Sequence, residues 1–294
     1  MNASPSPGHR PLRIDAHHHV WNPATRPHAW LAGEEMTPIR RHFTEADLHA
    51  VATSAGVGRT VLVQVLPDLD ETAEFLALAA NSPLIAGVVG WVDLTAPDVA
   101  DVLAGLRSGP GGRFLVGVRH LVQGEPDPGW LVRPDVLAGL RAVRDAGLAY
   151  DLLTLPHQLP AALEAVRAVP DLLFVLDHLS KPDVVGGSLR PWADRIGALA
   201  EQPNVVAKLS GLVTEGDWAT WTVDDLRPYA DVALEVFGPG RLMVGSDWPV
   251  CLLAADYERV FATAEELLSG CTADETAQVF GATAARVYGL GQGG

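Results

Sequence analysis

Only two cysteines, Cys251 and Cys271, occur among the 294 residues. They are too few and too casually spaced for a disulfide framework or a thiolate metal site, so two ordinary reduced thiols are expected. No apolar run approaches the roughly 18 residues a membrane span needs, and the N-terminal "MNASPSPGHRPLR" lacks the apolar core of a secretory signal. A cytoplasmic location is expected. Positive charge is scarce: 21 Lys and Arg stand against 36 Asp and Glu, a formal net charge of −15. Such a surface repels nucleic acid and anionic lipid and leaves a small molecule as the expected partner. An anionic ligand would need Arg or Lys placed inside its site. A Gly-rich phosphate loop after an early strand, the usual mark of a doubly wound nucleotide-binding sheet, is missing too.

What is present is a globular composition, 48% hydrophobic and 19% charged. Short runs rich in Val, Ile and Leu recur: "LRIDA", "TVLVQVL", "IAGVVGWV", "FLVGVRH", "LAYDLL", "LLFVLDH", "NVVAKLS" and "RLMVGSD". Between them lie segments of helical spacing, among them "DETAEFLALAAN", "RPDVLAGLRAVRDAG" and "VDDLRPYADVALEVFG". Strands that are apolar throughout, rather than alternating, are buried on both faces, as in a parallel sheet covered by helices. Eight strands alternating with helices predict an α/β protein, a single closed (β/α)₈ barrel. Residues 1–11 are expected to form a flexible N-terminal leader and residues 12–294 one barrel domain. The long connection from Trp21 to Thr44, with His28, Trp30 and Arg40, is expected to cover one mouth of the barrel.

In such a barrel chemistry gathers at the C-terminal ends of the strands. "LRIDAHHHVW" ends the first strand, and the twofold alternation of a strand puts His17 and His19 on one side and His18 on the other. His-x-His there reads either as a pair of ion ligands or as a polar, solvated strand end. His178 ends the sixth strand and Asp247 the eighth, in "GSDWPV". Three imidazoles and a carboxylate meeting at one mouth suit zinc or a similar divalent ion that keeps one position open for water.

Taken together, "DAHHHVW", "GVVGWVDL", "GVRHLVQ", "LDHLSKP", "KLSGLVTE" and "GSDWPVC" resemble the lactonase branch of the amidohydrolase superfamily, which includes hydrolases of L-fuconolactone and L-rhamnonolactone. The resemblance implies an amidohydrolase-type TIM barrel in which His17 and His19 match the strand-one pair, His178 the strand-six histidine and Asp247 the strand-eight aspartate. Binuclear members bridge two metals with a carboxylated strand-four lysine, whereas here that strand ends in Arg119 and His120. One divalent ion, zinc first, is therefore expected, and some members of the branch open lactones without requiring one. The implied activity is hydrolysis of a sugar-acid lactone in carbohydrate catabolism, with Asp247 activating water and His178 polarising the carbonyl or holding the ion. Arg119, Trp91, Gln64, Trp248, His157 and Lys181 are the candidate substrate-binding residues. Each also has a structural reading, as a salt bridge, a buried ring or a satisfied polar group. The rival functions are a metal-dependent decarboxylase built on the same barrel and a noncatalytic sugar-binding barrel. Self-association into a homo-oligomer is left open.

Overall fold

The computed structural model describes residues 12–291, and the leader expected at residues 1–11 lies outside them. All eight apolar runs form strands: β1 Arg13–His18, β2 Val57–Val63, β3 Ile85–Gly90, β4 Leu115–His120, β5 Ala149–Leu152, β6 Phe174–Leu176, β7 Val205–Leu209 and β8 Leu242–Val244. Each pairs in parallel with its successor in chain order. Inward-facing Ile14, Ala16, Val61, Val63, Val89, Ala149, Val175, Val206 and Met243 fill the barrel, and Val287, Tyr288 and Leu290 close it from below.

The helices follow the strands: α1 Glu45–Ser54, α2 Leu69–Asn81, α3 Val99–Ser108, α4 Pro134–Asp145, α5 Leu159–Ala168, α6 Trp192–Ala200, α7 Leu212–Glu215, α8 Val223–Phe237, α9 Tyr257–Leu267, α10 Ala273–Ala277 and α11 Thr283–Val287. Local chemistry sets several starts. Thr44 with Asp47 and Thr222 with Asp225 form capping boxes for α1 and α8, and the side chains of Asp68 and Asp256 cap α2 and α9. Two features depart from the helical spacing. The short α7 was not anticipated, and the final helix is interrupted by a π turn at Gln278–Ala282. Among the described residues no helix is long and apolar enough to cross a membrane.

Two local devices position what lies above the core. The first is a β-bulge in β1. Asp15 pairs with Thr60 and His18 with Leu62, so three steps on β1 match two on β2. The extra residue changes which parity faces inward, so Ile14 and Ala16 fill the barrel while His17 and His19 turn towards its upper mouth. The second is the seam between β1 and β8, where the backbone pairs only through Asp247 N to His17 O (2.8 Å) and His19 N to Trp248 O (2.7 Å). The buried Asp15 carboxylate reinforces this seam. It accepts from His17 N (3.1 Å), Ser246 N (2.8 Å), Ser246 Oγ (2.6 Å) and Tyr257 Oη (2.9 Å).

The connection after β1 crosses the mouth as expected. Trp21 and Phe43 exchange backbone hydrogen bonds, and Trp21 Nε1 donates to Ile39 O at 3.1 Å.

Asp15→Ala would leave three buried donors, His17 N, Ser246 N and Tyr257 Oη, without an acceptor, each costing about 1 kcal/mol or more, while Ser246 Oγ keeps only a 3.3 Å contact to His17 O. A loss of about 3 kcal/mol or more in unfolding free energy is therefore expected in urea titration, and Asp15→Asn, which keeps one acceptor oxygen, should lose less.

Candidate active site

His17 and His19 rise from the bulged end of β1. His19 Nδ1 lies 2.7 Å from Val63 O, and since a carbonyl only accepts, the proton sits on Nδ1 and Nε2 keeps its lone pair. His178 follows β6 at the start of a left-handed turn: His178, Leu179, Ser180 and Lys181 have φ of 52°, 49°, 58° and 51°. Its Nδ1 meets Ser210 Oγ at 2.8 Å. Gly211 is required beside it, because φ there is 66° and a Cβ would come within 2.6 Å of that nitrogen. Asp247, also left-handed with φ 56°, turns its carboxylate towards the three rings. From Asp247 Oδ1 the distances are 3.4 Å to His19 Nε2, 3.7 Å to His17 Nε2 and 3.9 Å to His178 Nε2.

Donor atoms of His17, His178 and Asp247 all lie within 4.8 Å of one another. His19, expected in the same set, stands beside it, with Nε2 at 3.2 Å from His17 Nε2. Burial drives the His17 imidazole well below its usual range and takes His178 down to about 4, so both rings are neutral near pH 7 with lone pairs to offer. Burial pushes the Asp247 carboxyl upward, but the imidazoles around it, His178 first, outweigh this and hold it below the usual carboxylate range. This donor set, two neutral nitrogens and an ionised oxygen, fits one divalent ion of the zinc type. Among the described residues no second group of ligands offers another ion a comparable place. Arg119 ends β4 where a bridging lysine would be needed, and its guanidinium lies 3.2 Å from His17 Nε2.

Beneath the mouth lies a buried charge network. Lys208 Nζ is 2.6 Å from Asp151 Oδ2, 2.9 Å from Asp177 Oδ1 and 3.2 Å from His17 Nδ1. Arg119 is held mainly by Gln64 and Asp177. Nε reaches Gln64 Oε1 (3.1 Å), Nη2 reaches Gln64 Oε1 (3.0 Å) and Gln64 O, and Nη1 reaches Asp177 Oδ2 (3.1 Å) and lies 3.2 Å from His17 Nε2.

Above the histidines opens a cavity of about 450 Å³, a size suited to a small ligand. His19, Arg119, His178, Lys181 and Asp247 line it. The other substrate-binding candidates do not. Gln64 is buried behind Arg119, and Trp91 donates from Nε1 to His120 Nδ1 at 3.1 Å. Trp248 packs edge-on to Phe43, and His157 is exposed on the turn Pro156–Gln158. Gln64 and Trp248 are buried in packing, Trp91 is half-buried and His157 faces solvent. The wall contains residues that sequence reasoning assigned no role: Trp30, Met36, Gln123, Glu215 and Trp218. The last residues of the motifs "GVRHLVQ" and "KLSGLVTE", Gln123 and Glu215, carried the available signal.

Residues 14–290 match the amidohydrolase family model. The chain is 40% identical to an L-fucono-1,5-lactonase of Burkholderia multivorans, over 95% of this chain and 96% of that protein. It is 38% identical to an L-fucono-1,5-lactonase of Burkholderia ambifaria, over 94% and 95% of the two chains. Among solved structures, an amidohydrolase from Burkholderia multivorans with bound zinc superposes with a TM-score of 0.89 at 37% identity, over 95% of this chain and 100% of that one.

Two outcomes are expected from this geometry. Arg119→Met strips Asp177 and Gln64 of a buried cation and should cost about 3–5 kcal/mol of unfolding free energy in denaturant titration. In metal-free protein the His178 ring should titrate by NMR near 4 rather than 6.5. Because the unfolded chain takes up that proton first, His178's share of stability is lost as pH falls from 6.5 through 4.

Proposed function

Since the chain belongs to the amidohydrolase family, we propose that it opens the ring of a sugar-acid lactone, L-fuconolactone- or L-rhamnonolactone-like, with water activated by Asp247. The observation that carries this reading is the Asp247 carboxyl group, 3.4–3.9 Å from three imidazoles at the base of a cavity that can hold a sugar ring.

Ring opening needs a nucleophilic water, a polarised carbonyl and a proton for the leaving oxygen. Asp247 takes a proton from water as the hydroxide oxygen adds to the carbonyl carbon. His178, steadied through Ser210, faces the developing negative charge on the carbonyl oxygen. When the ring C–O bond breaks, Asp247 returns its proton to the departing oxygen, and the product is the open hydroxy acid. His17, His178 and Asp247 would hold a divalent ion, which when bound would supply Lewis acidity and lower the pKa of water.

Arg119, held by Gln64 and Asp177, borders His17 and contributes positive charge at the cavity wall. Lys181 faces the substrate. Decarboxylation on the same barrel is not favoured, because the relatives that share 38–40% identity with this chain over nearly its whole length are named for lactone hydrolysis. A role in carbohydrate catabolism follows from the substrate class. A cytoplasmic site of action is our reading, and the unpaired thiols of Cys251 and Cys271 suit a reducing compartment.

Purified protein mixed with aldonolactones in weak buffer should release acid, read by a pH indicator. Decarboxylation would instead consume protons and evolve gas. Asp247→Asn should lower kcat by about 10²–10⁴ with KM little changed, as loss of a general base does. Full turnover by that variant would remove Asp247 from the role.

A further inference from the structure

The cavity has two unlike walls. On one, the polar groups are already spoken for: Arg119 by Gln64, Asp177 and His17, His19 Nδ1 by Val63 O, and His178 Nδ1 by Ser210. On the other stand Gln123, Lys181 and Glu215. Among the described residues, Gln123 Oε1 is buried without a partner. Lys181 Nζ and Glu215 Oε1 face each other at 3.9 Å, each side chain about three-quarters buried. That separation is an ion pair but too long for a hydrogen bond, for which about 2.7–3.2 Å is needed.

The backbone holds this pair at some cost. Four successive residues without glycine sit in the left-handed region at 178–181, a conformation of order 1 kcal/mol or more per residue less favourable for side chains with a Cβ. The turn is closed by Lys181 N to His178 O at 2.8 Å. It is pinned from outside by Trp192 Nε1 to Leu179 O (2.7 Å) and by Ser180 Oγ to Thr154 Oγ1 (2.8 Å). Its effect is to put His178 and Lys181 on the cavity side while Leu179 and Ser180 are buried in the wall. Glu215 comes from α7, whose start at Gly211 is packed against His178. Trp218 is fixed beside it by a hydrogen bond to Thr214 O at 2.9 Å.

We propose that Gln123, Lys181 and Glu215 are the specificity residues of this site, with Lys181 and Glu215 clamping two adjacent ring hydroxyls of the lactone. The lysine offers only donors and the carboxylate only acceptors, whereas each hydroxyl is both. One hydroxyl oxygen therefore accepts from Lys181, its neighbour donates to Glu215, and the diol bridges the 3.9 Å gap that the two side chains leave. Gln123, with both amide functions uncommitted, serves a third hydroxyl. A site built this way rejects an analogue lacking the hydroxyl, because the buried partner is then left unpaired. The inference rests on the lactonase reading and adds which part of the substrate is read.

The test compares a hydroxylated aldonolactone with analogues deoxygenated at one ring position at a time, using wild type, Glu215→Gln and Lys181→Met, with folding checked by circular dichroism. Wild type should favour the full lactone over one or two of the deoxy analogues by about tenfold to a hundredfold in kcat/KM, the range of a hydrogen bond to a charged group. Each variant should lose that preference by raising KM for the full lactone alone, with its kcat/KM on the discriminated analogue within about threefold of wild type. Equal losses on all substrates, or an intact preference, overturn the clamp. If wild type opens no lactone, the lactonase reading fails separately. The clamp is then judged by titrating the open sugar acids against tryptophan fluorescence, where wild type should discriminate the deoxy acid and Glu215→Gln should not. Equal discrimination by both proteins overturns it.

Discussion

The structure turns on the closure of the barrel between its first and last strands. β8 is only three residues long, and its backbone offers the seam little. The buried carboxylate of Asp15 supplies the missing bonds, gripping Ser246 by both its amide and its hydroxyl while also holding His17 N. Asp247 is the next residue after Ser246, so the position of its carboxylate relative to the histidines follows from this contact. A buried carboxylate would be costly if unpaired, and the four donors around it offset that cost.

A second constraint lies under the histidines. Two cations, Lys208 and Arg119, and two carboxylates, Asp151 and Asp177, surround His17 out of reach of bulk water. Their charges cancel formally, but such pairs contribute little net stability once desolvation is counted. Their use here is positional. His17 is enclosed on both edges of its ring, with Arg119 beside Nε2 and Lys208 and Asp177 beside Nδ1. The ring that would serve an ion or a water therefore has one orientation before any ligand arrives, which spares the site that reorganisation.

Backbone strain is concentrated in the same region. Among the described residues the non-glycine positions of positive φ are His178, Leu179, Ser180, Lys181 and Asp247, all at the site or in its wall. Such conformations persist only where surrounding packing over-determines them. Here Trp192, Ser180 and the β1–β8 seam do so. Stability built into the barrel is spent at its upper rim, where side-chain direction matters more than chain comfort.

The eight strands and most helices were legible because apolar continuity and capping are properties of neighbouring residues, and these give the same signal whatever the fold. The strand-end rule then picked out His17, His19, His178 and Asp247, which do converge. Trp91, Trp248, Gln64 and His157 satisfied the same rule and point elsewhere, because nearness to a strand end does not say which way a side chain turns. What the sequence by itself determined was the alternation of elements and the identity of the polar groups that converge at the strand ends. Only the tertiary structure decided the face that each group presents. The β1 bulge, the left-handed turn after β6 and the identity of the cavity wall all arise from contacts between residues far apart in the chain, and no local pattern encodes a direction set by distant neighbours.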